Sequence, residues 1–152
     1  MKKFAVFDID GTLIRWQLYH AVADALAKHG HIDAETYAII RNARMQWKQR
    51  SRPQSFSDYQ VYIIRAYEST LLKLSANQLS QAVDDVFDEY KDQVYTYTRA
   101  LLKKLKKSGY LLFAISGSQS EIIGKIANYY GFDDFVATEY TVKSAKLHKK
   151  IP

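Results

Sequence analysis

Cysteine is absent from this chain of 152 residues, which excludes disulfides, thiolate nucleophiles and cysteine-ligated zinc. Proline occurs twice and glycine six times, and the chain contains no repeat, low-complexity block or flexible linker. No apolar run approaches the roughly 20 residues that a membrane-spanning helix needs. The N-terminal sequence MKKFAVFDIDG has acidic residues where a signal peptide is apolar. We therefore expect a cytoplasmic protein without a membrane partner.

The residues that are present suit one globular domain with an insert, since 47% are hydrophobic and 25% are charged. The formal net charge of +6 favours anionic partners, which include both phosphorylated metabolites and nucleic acid. Charge alone does not separate these two classes.

Two short apolar runs frame the chain, KFAVFDI at residues 3–9 and GYLLFAIS at 109–116. Each run ends in a turn that contains glycine, which predicts strands buried on both faces of a parallel sheet. The segment DFVAT at 134–138 is the candidate for a third strand.

The segment between the first two runs has helical periodicity. Ser57 and Ser75, each followed three residues later by glutamine, predict capping boxes at two helix starts. Apolar residues recur at spacings of three and four after Ser75. We therefore predict an α/β protein, with a Rossmann-like parallel-sheet core formed by residues 1–14 and 95–152 and an inserted all-helical cap at 15–94.

Asp8 and Asp10 stand two residues apart where the first apolar run ends. The Asp10-Gly11 pair could mark a simple hairpin turn, and a calcium loop fails because its glycine and glutamate spacing is absent. At the carboxyl end of a strand in a parallel sheet, two such residues lie on the same side of a ligand crevice. Two acids held there suit a nucleophile and a proton-transfer group, with a divalent cation to offset their repulsion.

The sequence DIDGTLI at residues 8–14 resembles the first motif of the haloacid dehalogenase superfamily of aspartate-nucleophile phosphotransferases. The later run LLFAISGSQSEII is similar to the second motif of its phosphoserine phosphatase-like subfamily, in which a strand ends in serine or threonine. A helical insert directly after the first motif is also similar to the cap of that subfamily. The resemblance covers essentially the whole chain.

The resemblance implies a phosphatase or phosphotransferase that acts on a small phosphorylated metabolite. Asp8 would attack phosphorus, and Asp10 would protonate the leaving oxygen and then activate water. The Asp8 carboxylate and the Asp10 backbone carbonyl would hold Mg²⁺. Ser116 and the Gly117 amide would bind the phosphoryl oxygens, because Ser118 and Glu121 form a better capping box and leave Ser116 free. Gly11 and Thr12 would shape the turn beside the phosphate.

Two motifs of the family, a lysine and a later acidic pair, have no counterpart in the sequence. We assign neither role to the four lysines between 143 and 150, and we expect a core that is incomplete at its C-terminus. The first strand would then be a sheet edge open to self-association. The alternative function is a non-catalytic binding module with a basic surface for nucleic acid or another anion, although a nucleic-acid partner is not the expected one.

The basic run RNARMQWKQRSR at residues 41–52 combines several cations with Trp47. It could contact a substrate anion or stack on a base, but a solvated helix face explains it better. The four histidines show no spacing typical of metal ligands, and we treat them as ordinary residues.

Overall fold

The computed structural model describes residues 2–143 and 146–152 and contains a four-stranded sheet with six helices. The strands are β1 (Phe4–Asp8), β2 (Leu111–Gln119), β3 (Asp134–Lys143) and β4 (Lys146–Lys150). The helices are α1 (Leu18–Lys28), α2 (Ala34–Lys48), α3 (Ser55–Leu71), α4 (Ala76–Tyr90), α5 (Thr96–Lys107) and α6 (Ser120–Tyr130). The α/β prediction is therefore confirmed. No helix in the described part of the chain is long and apolar enough to cross a membrane.

The strand order is β1-β2-β3-β4, so β1 forms one edge of the sheet, as the sequence predicted. The first three strands are parallel. The fourth strand runs antiparallel to β3 and was not predicted, because its lysine-rich sequence lacks the apolar signal of a buried strand.

One face of the sheet is uncovered, so the prediction of burial on both faces is wrong. Phe4, Val6, Ile115 and Val136 are 43–66% exposed, and the strand register places them on one face. The core lies on the other face, where α1, α5 and α6 contact β2. Burial of Leu112 and Ala114 there anchors the central strand.

The helical segment leaves and rejoins the core at adjacent points. Ile14 and Val94 form an antiparallel bridge, and the Tyr95 amide donates to the Leu13 carbonyl at 3.0 Å. Within the segment, α1 contacts α4 and α2 contacts α3, while α4 also contacts α6 of the core. These contacts fix the start of α1 above the carboxyl end of β1.

The capping predictions have mixed outcomes. Ser75 caps α4 in a capping box with Gln78, as predicted. The box predicted at Ser57 is wrong, because α3 already begins at Ser55 and Ser57 donates to the Gln54 carbonyl. Adjacent serines thus left the true helix start ambiguous in the sequence.

The basic run at 41–52 includes an internal ion pair. Arg44 donates to both carboxylate oxygens of Asp24, at 2.7 and 2.8 Å, and its Nε donates to the Tyr59 hydroxyl at 3.0 Å. Trp47 stacks on Tyr59 with ring centroids 5.4 Å apart. Arg44 and Trp47 therefore stabilise the contact of α2 with α1 and α3, and neither belongs to a uniformly solvated face.

Candidate active site

A cleft of about 280 Å³ opens where β1 and β2 end beneath α1 and α3. Of the predicted site residues, Asp8, Asp10 and Gly117 line it. The other lining residues come from three parts of the chain: Gln17, Tyr19 and His20; Gln60, Ile63 and Ile64; and Ser118, Tyr140 and Lys149. The two strand ends and the helical segment thus form one cleft, as expected for the carboxyl edge of a parallel sheet.

Asp8 is the exposed carboxylate at the end of β1. The Thr12 hydroxyl donates to its Oδ2 at 2.6 Å, which fixes the orientation of the carboxylate relative to the turn. The turn forms because Gly11 has a positive φ of 76°, a conformation that side-chain-bearing residues rarely adopt. The Gly11 amide donates to the Ile14 carbonyl at 2.9 Å. Gly11 and Thr12 therefore shape the turn beside Asp8, and their place beside a bound phosphate stays a prediction.

The Asp10 carboxylate is bound on both oxygens. Its Oδ2 accepts a hydrogen bond from the Ser116 hydroxyl at 2.5 Å. Its Oδ1 accepts from the Leu18 amide at 2.6 Å and from the Ser118 hydroxyl at 3.0 Å. Burial raises the pKa of Asp10 above its ordinary value; these three hydrogen bonds oppose the rise, and the Asp8 charge adds to it. A raised pKa favours the protonated form that a general acid needs.

Ser116 lies in the C-terminal half of β2 and is 3% exposed. Its hydroxyl donates to Asp10, so in this arrangement it orients the acid. Gly117 lines the cleft, and its carbonyl accepts from the Thr138 hydroxyl at 2.7 Å. The register between β2 and β3 shifts between Ile115 and Gln119. This irregular strand end brings three consecutive residues, Ser116 to Ser118, to the site.

Ser118 was predicted to cap α6, and that prediction is wrong. The helix begins at Ser120, its N-cap is Gln119, and no side chain caps it. Ser118 instead points to the same side of β2 as Ser116 and is equally buried. The two-residue alternation of a strand was the signal that could have identified it.

Lys149 lines the cleft, although no pattern in the basic segment distinguishes it from the neighbouring lysines. It lies on β4, where its ammonium group is 3.2 Å from Glu68 Oε1 and 5.4 Å from the centre of the Tyr140 ring. The antiparallel pairing of β4 with β3 brings this cation into the cleft. Among the described lining residues of the cleft, Lys149 is the lysine that could contact an anion bound near Asp8.

The residues of the cleft can supply only part of the coordination shell of a Mg²⁺ ion. Carboxylate and carbonyl oxygens are the ligands that this ion prefers, and it usually retains several waters and binds substrate phosphate. The Asp8 carboxylate fits this requirement. Among the described residues no group of three or more histidine, aspartate or glutamate side chains could hold a metal. A cation here would therefore depend on water and substrate for most of its shell.

The sequence profile of the haloacid dehalogenase-like hydrolase family matches residues 5–151. The chain belongs to this family. Among curated protein sequences none matches it.

Several solved structures have a similar fold. A protein of unknown function from Bordetella pertussis Tohama I has 16% identity, a TM-score of 0.69, and coverage of 97% of this chain and 67% of its own. A phosphoserine phosphohydrolase-like protein from Francisella tularensis subsp. tularensis SCHU S4 has 19% identity and a TM-score of 0.56. The match covers 97% of this chain and 65% of that protein. A phosphoserine phosphatase in apo form has 20% identity and a TM-score of 0.55. The match covers 97% of this chain and 62% of that protein.

At these identities the likeness supports the fold alone. The chain spans about two thirds or less of the length of each of the three structures.

Proposed function

We propose that this chain is a Mg²⁺-dependent phosphatase that hydrolyses small phosphate monoesters through an aspartyl-phosphate on Asp8. The observation that carries the proposal is the pair of carboxylates in one cleft. Asp8 is exposed and oriented by Thr12, whereas Asp10 is partly buried and its pKa is raised. Two carboxyl groups in such different environments suit a nucleophile and a general acid.

In the first half of the reaction, an Asp8 carboxylate oxygen forms a bond to phosphorus while the bond from phosphorus to the leaving oxygen breaks. Asp10 transfers its proton to that oxygen, so the product leaves as an alcohol. In the second half, water attacks the same phosphorus and gives a proton to Asp10, and the bond to Asp8 breaks to release phosphate. Mg²⁺, when bound through the Asp8 carboxylate and the Asp10 carbonyl, would neutralise charge on the phosphoryl group.

The substrate side of the cleft favours an uncharged organic group. The lining residues contributed by α1 and α3 and by the residue before α1 are uncharged: Gln17, Tyr19, His20, Gln60, Ile63 and Ile64. His20 is neutral at pH 7 because burial lowers its pKa to about 4. A volume of about 280 Å³ lies just below the usual range of ligand cavities, roughly 300–1,000 Å³. These features support a small, neutral leaving group.

The proposal is tested by hydrolysis of p-nitrophenyl phosphate with Mg²⁺ and with EDTA. Asp8→Asn keeps the shape but removes the attacking charge, so turnover should be lost while the far-UV spectrum of the folded protein stays the same. Asp84→Asn is the matched control, because Asp84 pairs with Lys125 outside the cleft. Intact-mass spectrometry should detect one added phosphoryl group in the wild type and none in Asp8→Asn. Turnover that survives Asp8→Asn or EDTA would contradict the mechanism.

A further inference from the structure

We propose that Ser118 is a positioning residue that determines which oxygen of Asp10 exchanges its proton. This inference rests on the proposed function, since it concerns the general acid of that reaction. It arises from hydrogen bonds that link the end of β2, the Asp10 carboxylate and the first turn of α1.

The hydrogen bonds to Asp10 are distributed unequally between its oxygens. A carboxylate oxygen has two lone pairs. On Oδ1 both are used, by the Leu18 amide at 2.6 Å and the Ser118 hydroxyl at 3.0 Å. On Oδ2 the described residues supply one donor, the Ser116 hydroxyl. One lone pair of Oδ2 therefore remains for the proton that passes to the leaving oxygen and is later taken from water.

Ser118 can donate in only one direction. Its Oγ accepts a hydrogen bond from the Tyr19 amide at 2.9 Å, so its single proton is directed at Asp10. The side chain is 3% exposed, so bulk water cannot easily replace the hydroxyl. Removal of this hydroxyl would free a lone pair on Oδ1 and leave the Tyr19 amide without its acceptor.

The same contacts position α1. Gln17, the N-cap residue of this helix, makes no side-chain capping bond. Amides of the first turn are instead satisfied from the core, Leu18 by Asp10 and Tyr19 by Ser118. Asp10 and Ser118 therefore act as external caps for α1, and the helix start that fixes Asp10 also provides the substrate-side wall of the cleft.

A positioning role makes the effect of Ser118→Ala depend on the leaving group. An alkyl phosphate needs proton transfer to its leaving oxygen, whereas p-nitrophenolate leaves without one. General acid catalysis contributes roughly 10²–10⁴-fold. We expect Ser118→Ala to lower kcat/KM about 10-fold or more for glycerol phosphate and less than about 3-fold for p-nitrophenyl phosphate. The parameter kcat/KM is the appropriate one, because it reports the step in which the leaving group departs.

The experiment compares the wild type with Ser118→Ala, with Ser118→Thr, which keeps the hydroxyl, and with Ser120→Ala. Ser120 is a half-buried serine two residues further along, and its hydroxyl hydrogen-bonds only with Glu121 among the described residues. Ser118→Thr should restore the preference for glycerol phosphate, and Ser120→Ala should match the wild type. Equal losses for both esters in Ser118→Ala would overturn the proposal, because a loss of active folded protein lowers both rates equally. An unchanged kcat/KM for glycerol phosphate would also overturn it.

Hydrogen exchange tests the same contacts without turnover. The Tyr19 amide should be protected in the wild type, exchange faster in Ser118→Ala, and recover protection in Ser118→Thr. Rapid exchange of this amide in the wild type would overturn the inference whatever the activity is. Absence of wild-type phosphatase activity together with the expected exchange pattern would instead contradict the proposed function alone.

Discussion

His20 should make the stability of the protein fall in mild acid. The residue is 4% exposed, and its buried Nδ1 has no hydrogen-bond partner within the described residues. Its ring lies among aromatic side chains of α1, α2 and α3, with Tyr59 nearest at 4.9 Å between ring centroids. Burial lowers the pKa of His20 to about 4; the Arg44 charge adds to the decrease and Asp24 opposes it.

The size of the effect follows from the difference between the folded and unfolded pKa values. The unfolded chain binds the proton with a pKa near 6.5, whereas the folded chain binds it near 4. The folded state therefore holds fewer protons between these values, and stability present above about pH 6.5 is lost as the pH falls. The loss from this one residue is about 2 kcal/mol at about pH 5 and approaches about 3.4 kcal/mol below about pH 4.

The assay is urea unfolding at about pH 7.5 and about pH 5, without added Mg²⁺. His20→Phe keeps an aromatic ring in the cluster and removes the titrating group. The wild type should lose about 2 kcal/mol more than this variant between the two pH values. His148→Gln, at an exposed position on β4, is the control and should lose as much as the wild type. An equal loss in His20→Phe and the wild type would refute the reasoning.

Further outcomes are expected at three other places. Asp10→Asn should lower kcat/KM for an alkyl phosphate by roughly 10²–10⁴-fold. A variant as active as the wild type would show that Asp10 does not act as the acid. Asp24→Ala leaves the mostly buried Arg44 guanidinium without its partner and should cost about 2–4 kcal/mol in urea unfolding; a cost below about 0.5 kcal/mol would contradict it. The wild type should associate reversibly in sedimentation velocity through β1 and its exposed apolar face, and Val6→Lys should reduce this; a wild type that stays monomeric contradicts it.

The central part of the fold was predictable because its signals are local. The runs that became β1 and β2 carry their apolar character and their terminal turns within about ten residues. Asp8 and Asp10 follow directly from that placement, since the end of a parallel strand defines where their side chains lie. The helix after Ser75 was equally clear, because its cap and its apolar spacing agree.

The remaining features depend on partners far away in the sequence. Lys149 enters the cleft because β4 pairs with β3, and its lysine-rich sequence has no periodicity that indicates pairing. The spacing of Ser118 and Glu121 indicated a helix cap, but the hydroxyl of Ser118 donates to the carboxylate of Asp10, 108 residues earlier. The charges around Arg44 indicated a solvated helix face, but Arg44 forms an ion pair with Asp24 on another helix. Local propensity identifies candidate roles for such residues, and tertiary contacts choose among them.

The position of β1 at the sheet edge links metal binding to sheet pairing. β2 occupies one side of β1; toward its carboxyl end it supplies Gly117 and Ser118 to the cleft and the Ser116 hydroxyl to Asp10. The unpaired side of β1 is where an added strand would bring a further carboxylate beside Asp8. A parallel strand added there would place its carboxyl end next to Asp8, whereas the β1 strand of a second copy paired antiparallel would place its amino end there.

Self-association of the antiparallel kind should stabilise the sheet and leave the Mg²⁺ affinity unchanged. A calorimetric titration with Mg²⁺ at protein concentrations below and above the association range measures this, and an affinity that rises with association would show that the second copy contributes a ligand.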